Sequence, residues 1–360
     1  LIMSQFQNPG GSNGIPPLDL TNLPFQPRRV IKWGGLIFGL VASLVLLNWV
    51  RGIYTDLLWF DQLEFTEVFR TILFTRIWLF FTGVLIFAIF LGMNIFFTYK
   101  IGRGPQVSVM SQDSLHIFRP LLLIGAILGT VIGSIIFGVF LSGHWEIVLN
   151  FFNSSSFGID DPQFGRDIAF YTFTMPFLQL IQGLLLVILA ITTILTAGLY
   201  FAHFNLRGAV FTLTPKVFLH ISILGTLILF TMGFGYYLSV FNLVFSDRGA
   251  VVGASYTDVT AGLLSLRVLI GTMVIGGLLF LLNGLIWRRL RLVVGVLGLW
   301  VIIAVGLGGL YPALIQRVQV NPNELRRETP YIERNIEFTR AAFALDRIAE
   351  EDYPLAAEGE

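Results

Sequence analysis

Long apolar stretches alternate along the chain with short polar ones, and this alternation sets the architecture. A bilayer core of about 30 Å needs roughly 20 residues of helix to cross it. Seven stretches qualify as spans, from Trp33 to Val50, Ile77 to Phe97, Pro120 to Leu141, Phe177 to Phe201, Val217 to Val240, Val268 to Ile286 and Leu292 to Leu310. The pattern predicts an all-α fold, a polytopic membrane helix bundle of seven transmembrane helices. Between the first two spans, YTDLLWFDQLEFTEVF mixes aromatic and acidic residues at roughly helical spacing. That suits a separate helix in the headgroup layer or an ordinary interfacial connector. In the longest connection, residues 142–176, HWEIVLNFF suits the interface and NSSSFGIDDPQFGRD reads as a turn-rich surface loop. The aromatics Phe157, Phe164, Phe170, Tyr171, Phe173 and Phe177 are costly to expose, so Phe157 to Phe177 is expected to form an ordered cap. Arg166 is placed there to pair with Asp160, Asp161 or Asp167.

The ends differ from this middle. Residues 1–27 are rich in Pro, Gly, Asn, Ser and Gln and read as a disordered cytoplasmic arm. The first apolar run lacks a small-residue cleavage site, so it reads as a span and not a signal peptide. Residues 28–310 form the seven-span domain, and 311–360 an external amphipathic helical segment. In PYIERNIEFTRAAFALDRIAEE, helical spacing places Ile332, Ile336 and Phe343 on one face, with Phe338, Ala342 and Leu345 beside it, in a helix following a proline. A lone helix of this length cannot bury that face, so it must pack on the membrane body, a partner or further sequence.

Composition agrees: 55% of residues are hydrophobic and 12% charged, against roughly 25% charged in soluble domains, which excludes a soluble globular protein. The 23 Lys and Arg nearly balance the 22 Asp and Glu, so no basic field exists for nucleic acid. The absence of cysteine excludes disulfides, thiolate metal sites and cysteine nucleophiles. Basic residues favour the cytoplasmic side of short loops. With the N-terminus inside, eleven Lys and Arg lie on inner segments and six on outer loops, and the remaining six fall in a tail placed outside. The expectation is a multi-pass protein of the cell (plasma) membrane whose partner is the lipid bilayer, with neither nucleic acid nor nucleotide bound.

Chemistry is sparse. All 22 acidic residues lie outside the predicted spans. His220 is the one ionisable side chain inside a span, tyrosines aside, and reads as a satisfied interfacial histidine, with a proton-linked role as its rival. His116, His144 and His203 are scattered, and no HExxH, phosphate loop or GxSxG occurs. Asp160, Asp161 and Asp167 suit a turn whose carboxylates bind backbone amides, the alternative being a divalent cation. Gly125, Gly129 and Gly133 lay a small-residue groove along the third span, for packing inside the bundle or for a homo-oligomer interface. Asn94, Gln179, Gln182 and Asn283 suit interhelical hydrogen bonds. A transporter would use Gln179, Gln182 and Asn283 together, with helices broken at points such as Gly276 and Gly277. No catalytic residue is identified, and neither cofactor nor metal is expected.

DLLWFDQLEFTEVF with TRIWLFF, FGIDDPQFGRDIAFYTFTMPF, RGAVVGASYTDV with LRVL, and YPALIQRVQVNPNEL with PYIERNIEFTRAAFALD occur in this order between about residues 50 and 346. Together they resemble an uncharacterised protein family (UPF) of large bacterial and cyanobacterial integral membrane proteins. The resemblance implies seven N-terminal spans followed by a large exported region, with this chain as the N-terminal part. It implies no activity, cofactor or site residue. The functional expectation is a membrane anchor and assembly module for an exported domain. The alternatives are a transporter or channel, and an envelope enzyme whose active site lies in a missing C-terminal region.

Overall fold

The computed structural model describes residues 27–102, 112–205 and 214–348. Residues 1–26 of the expected arm, Arg103, Arg207 and the tail from residue 349 lie outside the described residues. Among the described residues ten α-helices follow in order: α1 Pro27–Gln62, α2 Thr66–Ile101, α3 Gln112–Gly143, α4 Trp145–Phe152, α5 Met175–Asn205, α6 Pro215–Asn242, α7 Leu263–Leu282, α8 Leu290–Val305, α9 Tyr311–Ile315 and α10 Glu324–Ala342. Single wide turns of π-helix lead into α5 and α7 and join α8 to α9. Seven helical stretches among the described residues are long and apolar enough to cross a membrane. Among the described residues there is no strand, only an isolated bridge between Asp160 and Asp167.

The seven apolar stretches all fall inside helices, which run past them. α1 continues beyond Val50 to Gln62 and ends at Glu64, whose φ of 62° takes the chain out of the helix. The aromatic connector is therefore mostly the end of α1 and the start of α2, not a separate helix in the headgroup layer. No proline lies between Val50 and Gln62, and one interior glycine, Gly52, costs only about 1 kcal/mol. The last span behaves alike. From Leu290 to Ala342 the chain is helical for 53 residues, about 80 Å at 1.5 Å per residue. That is far more than a bilayer core, so α10 lies beyond the spanning part. α10 begins at Glu324, ahead of Pro330 and not after it. Pro330 is accommodated inside the helix at the loss of one backbone hydrogen bond.

The chain divides into two compact units, Leu1–Leu73 and Phe74–Glu360. In the first, the Phe60 and Phe69 rings lie 5.6 Å apart and Thr66 Oγ1 donates to Asp61 (3.1 Å) across the turn between α1 and α2. In the second, Phe87 and Leu91 of α2, Phe137 of α3, Leu184 and Ile188 of α5 and Leu224 of α6 form one core. Leu229, Met273, Phe280 and Val296 join α6, α7 and α8 in another.

Lipid tails are as apolar as leucine, so helix association in a membrane depends on close van der Waals contact. Glycines supply it here. A Cβ at Gly138 of α3 would lie 2.7 Å from the Phe80 carbonyl oxygen of α2, and one at Gly83 would lie 3.0 Å from Gly138 Cα. A Cβ at Gly277 of α7 would lie 2.5 Å from the Phe230 ring of α6. Ile127, Ile194 and Ile302 are among the apolar side chains left exposed outside these contacts, as a lipid-facing surface requires.

Candidate functional site: the cap and the helix docked on it

At one end of the second unit the connections α4–α5 and α6–α7 fold into a cap. Phe164 and Phe170 pack on Phe241 of α6 with centroids 5.5 and 5.1 Å away, and Tyr171, Met175 and Phe241 form a buried cluster. Phe177 stacks on Phe151 of α4 at 4.0 Å, and Phe157 stacks on Phe173. The aromatic segment is thus an ordered cap, held by ring packing. Arg166 departs from expectation. Its guanidinium lies over the rings of Phe170 and Phe241, 4.8 and 5.2 Å from their centroids, and among the described residues no ion pair joins it to Asp160, Asp161 or Asp167.

Asp161 and Asp167 bind backbone amides instead, and Asp160 takes part in the backbone bridge to Asp167. Asp167 accepts from the N–H groups of Phe157 (3.2 Å), Gly158 (3.0 Å) and Ala169 (2.7 Å) and from the Ser156 hydroxyl. These donors, the Ser156 hydroxyl first, pull its carboxyl down to about 2 from the ordinary 3.8. Asp161 accepts from the Phe164 N–H (2.6 Å) and the Tyr171 hydroxyl (3.1 Å).

The most polar buried assembly of the cap is the start of the α7 helix, where the first amides have no partner within the helix. Ser255 and Asp258 satisfy two of them reciprocally, as a capping box does. The Asp258 N–H donates to Ser255 Oγ (3.2 Å), while the Ser255 N–H (3.2 Å) and hydroxyl (2.7 Å) donate to Asp258 Oδ2. Arg248 approaches the other Asp258 oxygen at 3.5 Å. A third, that of Tyr256, is met from far along the chain. It donates to both carboxylate oxygens of Glu328 on α10, at 3.2 and 3.3 Å.

Glu328 is 2% exposed, and Ser255, Thr257 and Asp258 are as deeply buried. Burial pushes the Glu328 carboxyl above the ordinary carboxylate range, the Tyr256 N–H opposes this, and the charges of Asp258 and Glu324 add to the rise. Desolvation therefore outweighs the attraction of the helix N-terminus.

Further bonds spread the docking of this last helical run. Thr257 donates to Gln316, and Arg327 donates to the Tyr256 hydroxyl (3.0 Å). Arg334 donates to Gln163 (2.9 Å) and Asn335 to the Val252 carbonyl (2.8 Å). α10 thus ties both cap loops together over a cavity of about 320 Å³ lined by Ile168, Phe245, Val252, Tyr331 and Phe338. The face it docks carries Glu328, Tyr331, Ile332 and Asn335, while Ile336, Phe343 and Leu345 stay exposed. The apolar periodicity is therefore only partly right: Ile332 and Phe338 lie on the docked side, whereas Ile336, Phe343 and Leu345 do not. A glutamate in a charged helix reads as solvated, and only its bond to Tyr256, 72 positions away in the chain, reveals its place. The one local signal available was Ser-x-x-Asp at Ser255, ahead of an apolar run.

The polar residues singled out inside the spans are dispersed. Gln179 donates to Asn242 (3.2 Å) and Gln182 to the Thr231 carbonyl (3.4 Å), both joining α5 to α6. Asn283 clasps the tight turn between α7 and α8, accepting from the Arg289 N–H (2.9 Å) and donating to its carbonyl (3.0 Å). Arg288 has φ 55° in that turn. The three amides are thus engaged in separate contacts, and α7 runs unbroken through Gly276 and Gly277.

His220 joins three helices. Its Nε2 donates to Asn94 Oδ1 of α2 and its Nδ1 accepts from the Tyr200 hydroxyl of α5, each at 2.9 Å, while Asn94 Nδ2 donates to the Phe90 carbonyl (2.7 Å). This geometry suits a neutral imidazole with both nitrogens satisfied. His144 lies against the Phe140 carbonyl, and His203, one turn beyond Tyr200 on α5, lies against Tyr99; the side chain of His116 lies outside the described residues. Of the glycine groove, Gly133 packs on the Phe87 ring within the bundle, and Gly125 and Gly129 face open space.

The model of the Uncharacterised protein family (UPF0182) matches residues 33–360. A UPF0182 protein of Thermobifida fusca is 33% identical over 355 residues, covering 95% of this chain and 34% of that protein. One of Frankia alni is 37% identical over 306 residues, covering 83% of this chain and 30% of its own length. The chain thus spans about a third of the length of the curated relatives it matches. No solved structure matches it.

Proposed function

The chain belongs to the uncharacterised protein family UPF0182, and from that premise we propose that this portion is the membrane anchor and assembly module of a larger envelope protein. The N-terminus lies in the cytoplasm and the cap and α10 outside, in the plasma membrane, as the eleven-to-six distribution of basic residues favours. The cap grips the last helix and fixes the direction in which the following chain leaves the membrane. The observation that carries this reading is the buried Glu328 carboxylate on the Tyr256 amide, which joins α10 to the start of another span. The dispersal of Gln179, Gln182 and Asn283 and the unbroken α7 weigh against a transport path.

The test exploits the lack of cysteine. V252C/N335C is treated in intact cells with a short, membrane-impermeant bifunctional maleimide. Cross-linking without permeabilisation is expected. Labelling only after the membrane is opened would refute the orientation, and labelling without cross-linking would refute the docking. Gradient-driven solute uptake into vesicles containing the protein, absent from protein-free vesicles, would overturn the anchor reading.

A further inference from the structure

Between α2 and α6, at the end of the bundle opposite the cap, a crevice of about 440 Å³ opens on the lipid-facing surface. Along the two helices it extends from a mouth at Ile101 and Lys216 to Phe90 and Leu227. On both helices this is eleven residues, about 16 Å at 1.5 Å per residue. Half of a bilayer core of about 30 Å is nearly the same length, so the crevice is one leaflet deep. The walls include Met93, Phe97 and Ile223, each 40% exposed or more, so a chain enters sideways from the bilayer. His220 and Asn94 face the crevice, but their bonds to Tyr200, to each other and to the Phe90 carbonyl leave them no need of a ligand.

Lys216 distinguishes this crevice from the two other lipid-facing grooves of similar size. Those grooves, beside Gly92 and Ile127 and beside Gly129 and Gly183, have no charged residue in their linings. Lys216 is exposed at the mouth and sits in the first turn of α6, whose partial positive charge adds to its own. Lys100, the neighbour of Ile101 in the chain, is exposed at the same end of α2, and among the described residues no acidic one lines the crevice. A cation above an apolar slot one leaflet deep complements an anion carrying an acyl chain.

We propose that this crevice is a binding site for one anionic glycerophospholipid, its phosphate at Lys216 and one acyl chain lying along α2 and α6 as far as Leu227. Basic sites between transmembrane helices commonly take anionic headgroups, each Lys adding about a fivefold preference. The site does not depend on the anchor reading, nor on which side of the membrane it faces.

The test is native mass spectrometry of the full chain in detergent, with palmitoyl-oleoyl phosphatidylglycerol or phosphatidylcholine added at equal concentration. The wild-type chain should retain one phosphatidylglycerol about fivefold better than phosphatidylcholine. K216Q, an exposed change that leaves the fold intact, should equalise the two lipids. I223W should fill the crevice and abolish retention of both, whereas V187W, in the groove without a cation, should behave as wild type. Equal retention of the two lipids by the wild-type chain, a preference that survives K216Q, or full retention by I223W would each overturn the proposal.

Discussion

Polar groups are buried differently in the spans and in the cap of the second unit. Within the spans the interhelical bonds join neutral partners: Asn94, His220 and Tyr200, Gln179 and Asn242, Trp300 and Tyr236. The helices are otherwise held by glycine contacts such as Gly138 with Gly83 and Gly277 with Phe230. In the cap, two carboxylates, Asp258 and Glu328, are almost completely buried at a single helix start. Hydrocarbon offers no counter-charge or water, so a charge at mid-membrane is expelled or neutralised. A helix N-terminus just outside it offers amide donors and a favourable dipole, which lower the cost of burying a carboxylate. The spans therefore associate by shape, and the cap captures α10 by hydrogen bonds that specify one partner.

The largest effect is expected where shape alone decides. Leucine at Gly138 would force its Cβ against the Phe80 carbonyl, a backbone atom that cannot rotate away. G138L should destabilise the α2–α3 contact at the upper end of the roughly 1–3 kcal/mol typical of overpacking. Detergent-titrated unfolding of the purified protein would show it, and wild-type stability would break the claim that this contact is tight.

In the cap, E328A leaves the half-buried Tyr256 N–H without its acceptor, a loss of about 1–3 kcal/mol. The loss should be confined to α10 docking. E328Q keeps an acceptor and removes a costly buried charge, so it should lose much less. Because burial raises the Glu328 carboxyl, the folded state holds its proton more tightly than the unfolded chain. Docking should then be firmest below the ordinary value of 4.5 and loosen as pH rises through the raised one, a dependence that E328Q removes. Limited proteolysis of α10 across that range checks the sign.

A smaller effect returns to the spans. The buried hydroxyls of Thr192 and Thr196 on α5 have no hydrogen-bond partner. T192V should be neutral or stabilising by up to about 1 kcal/mol, since it removes an unsatisfied group of nearly the same shape. Clear destabilisation in thermal unfolding would show that this hydroxyl has a partner.

The smallest effect is at Asp167, which is partly exposed. Its carboxyl lies below its unfolded value of 3.8, so its contribution is complete above that pH and fades as the pH falls through about 2. The acid-induced opening of the Ser156–Gly158 turn, followed by NMR, should lose this step in D167N.

The same contrast explains what was legible in the sequence. The spans could be placed because each needs a run of apolar residues whatever it packs against, and the aromatic cap because six rings in one short segment are costly to expose. Helix ends were missed where nothing stops the helix, as from Val50 to Gln62. The docked face of α10 is legible only in part: Ile332 and Phe338 follow the apolar period onto it, but Ile336 and Phe343 stay exposed, and the polar Glu328 and Asn335 carry its hydrogen bonds. A shape-matched contact leaves a composition that can be read locally. A hydrogen bond between Tyr256 and Glu328 leaves no trace in either segment alone.

Hydrogen–deuterium exchange of the protein in lipid nanodiscs, read on peptides covering 250–262 and 324–342, tests the capture of α10 most directly. The amides of both segments should be protected together in the wild-type chain. Exchange should accelerate in both by about tenfold in E328A, corresponding to about 1.4 kcal/mol, and stay near wild type in E328Q. Unchanged exchange in E328A, or faster exchange in α10 alone while 250–262 keeps its protection, would contradict the account.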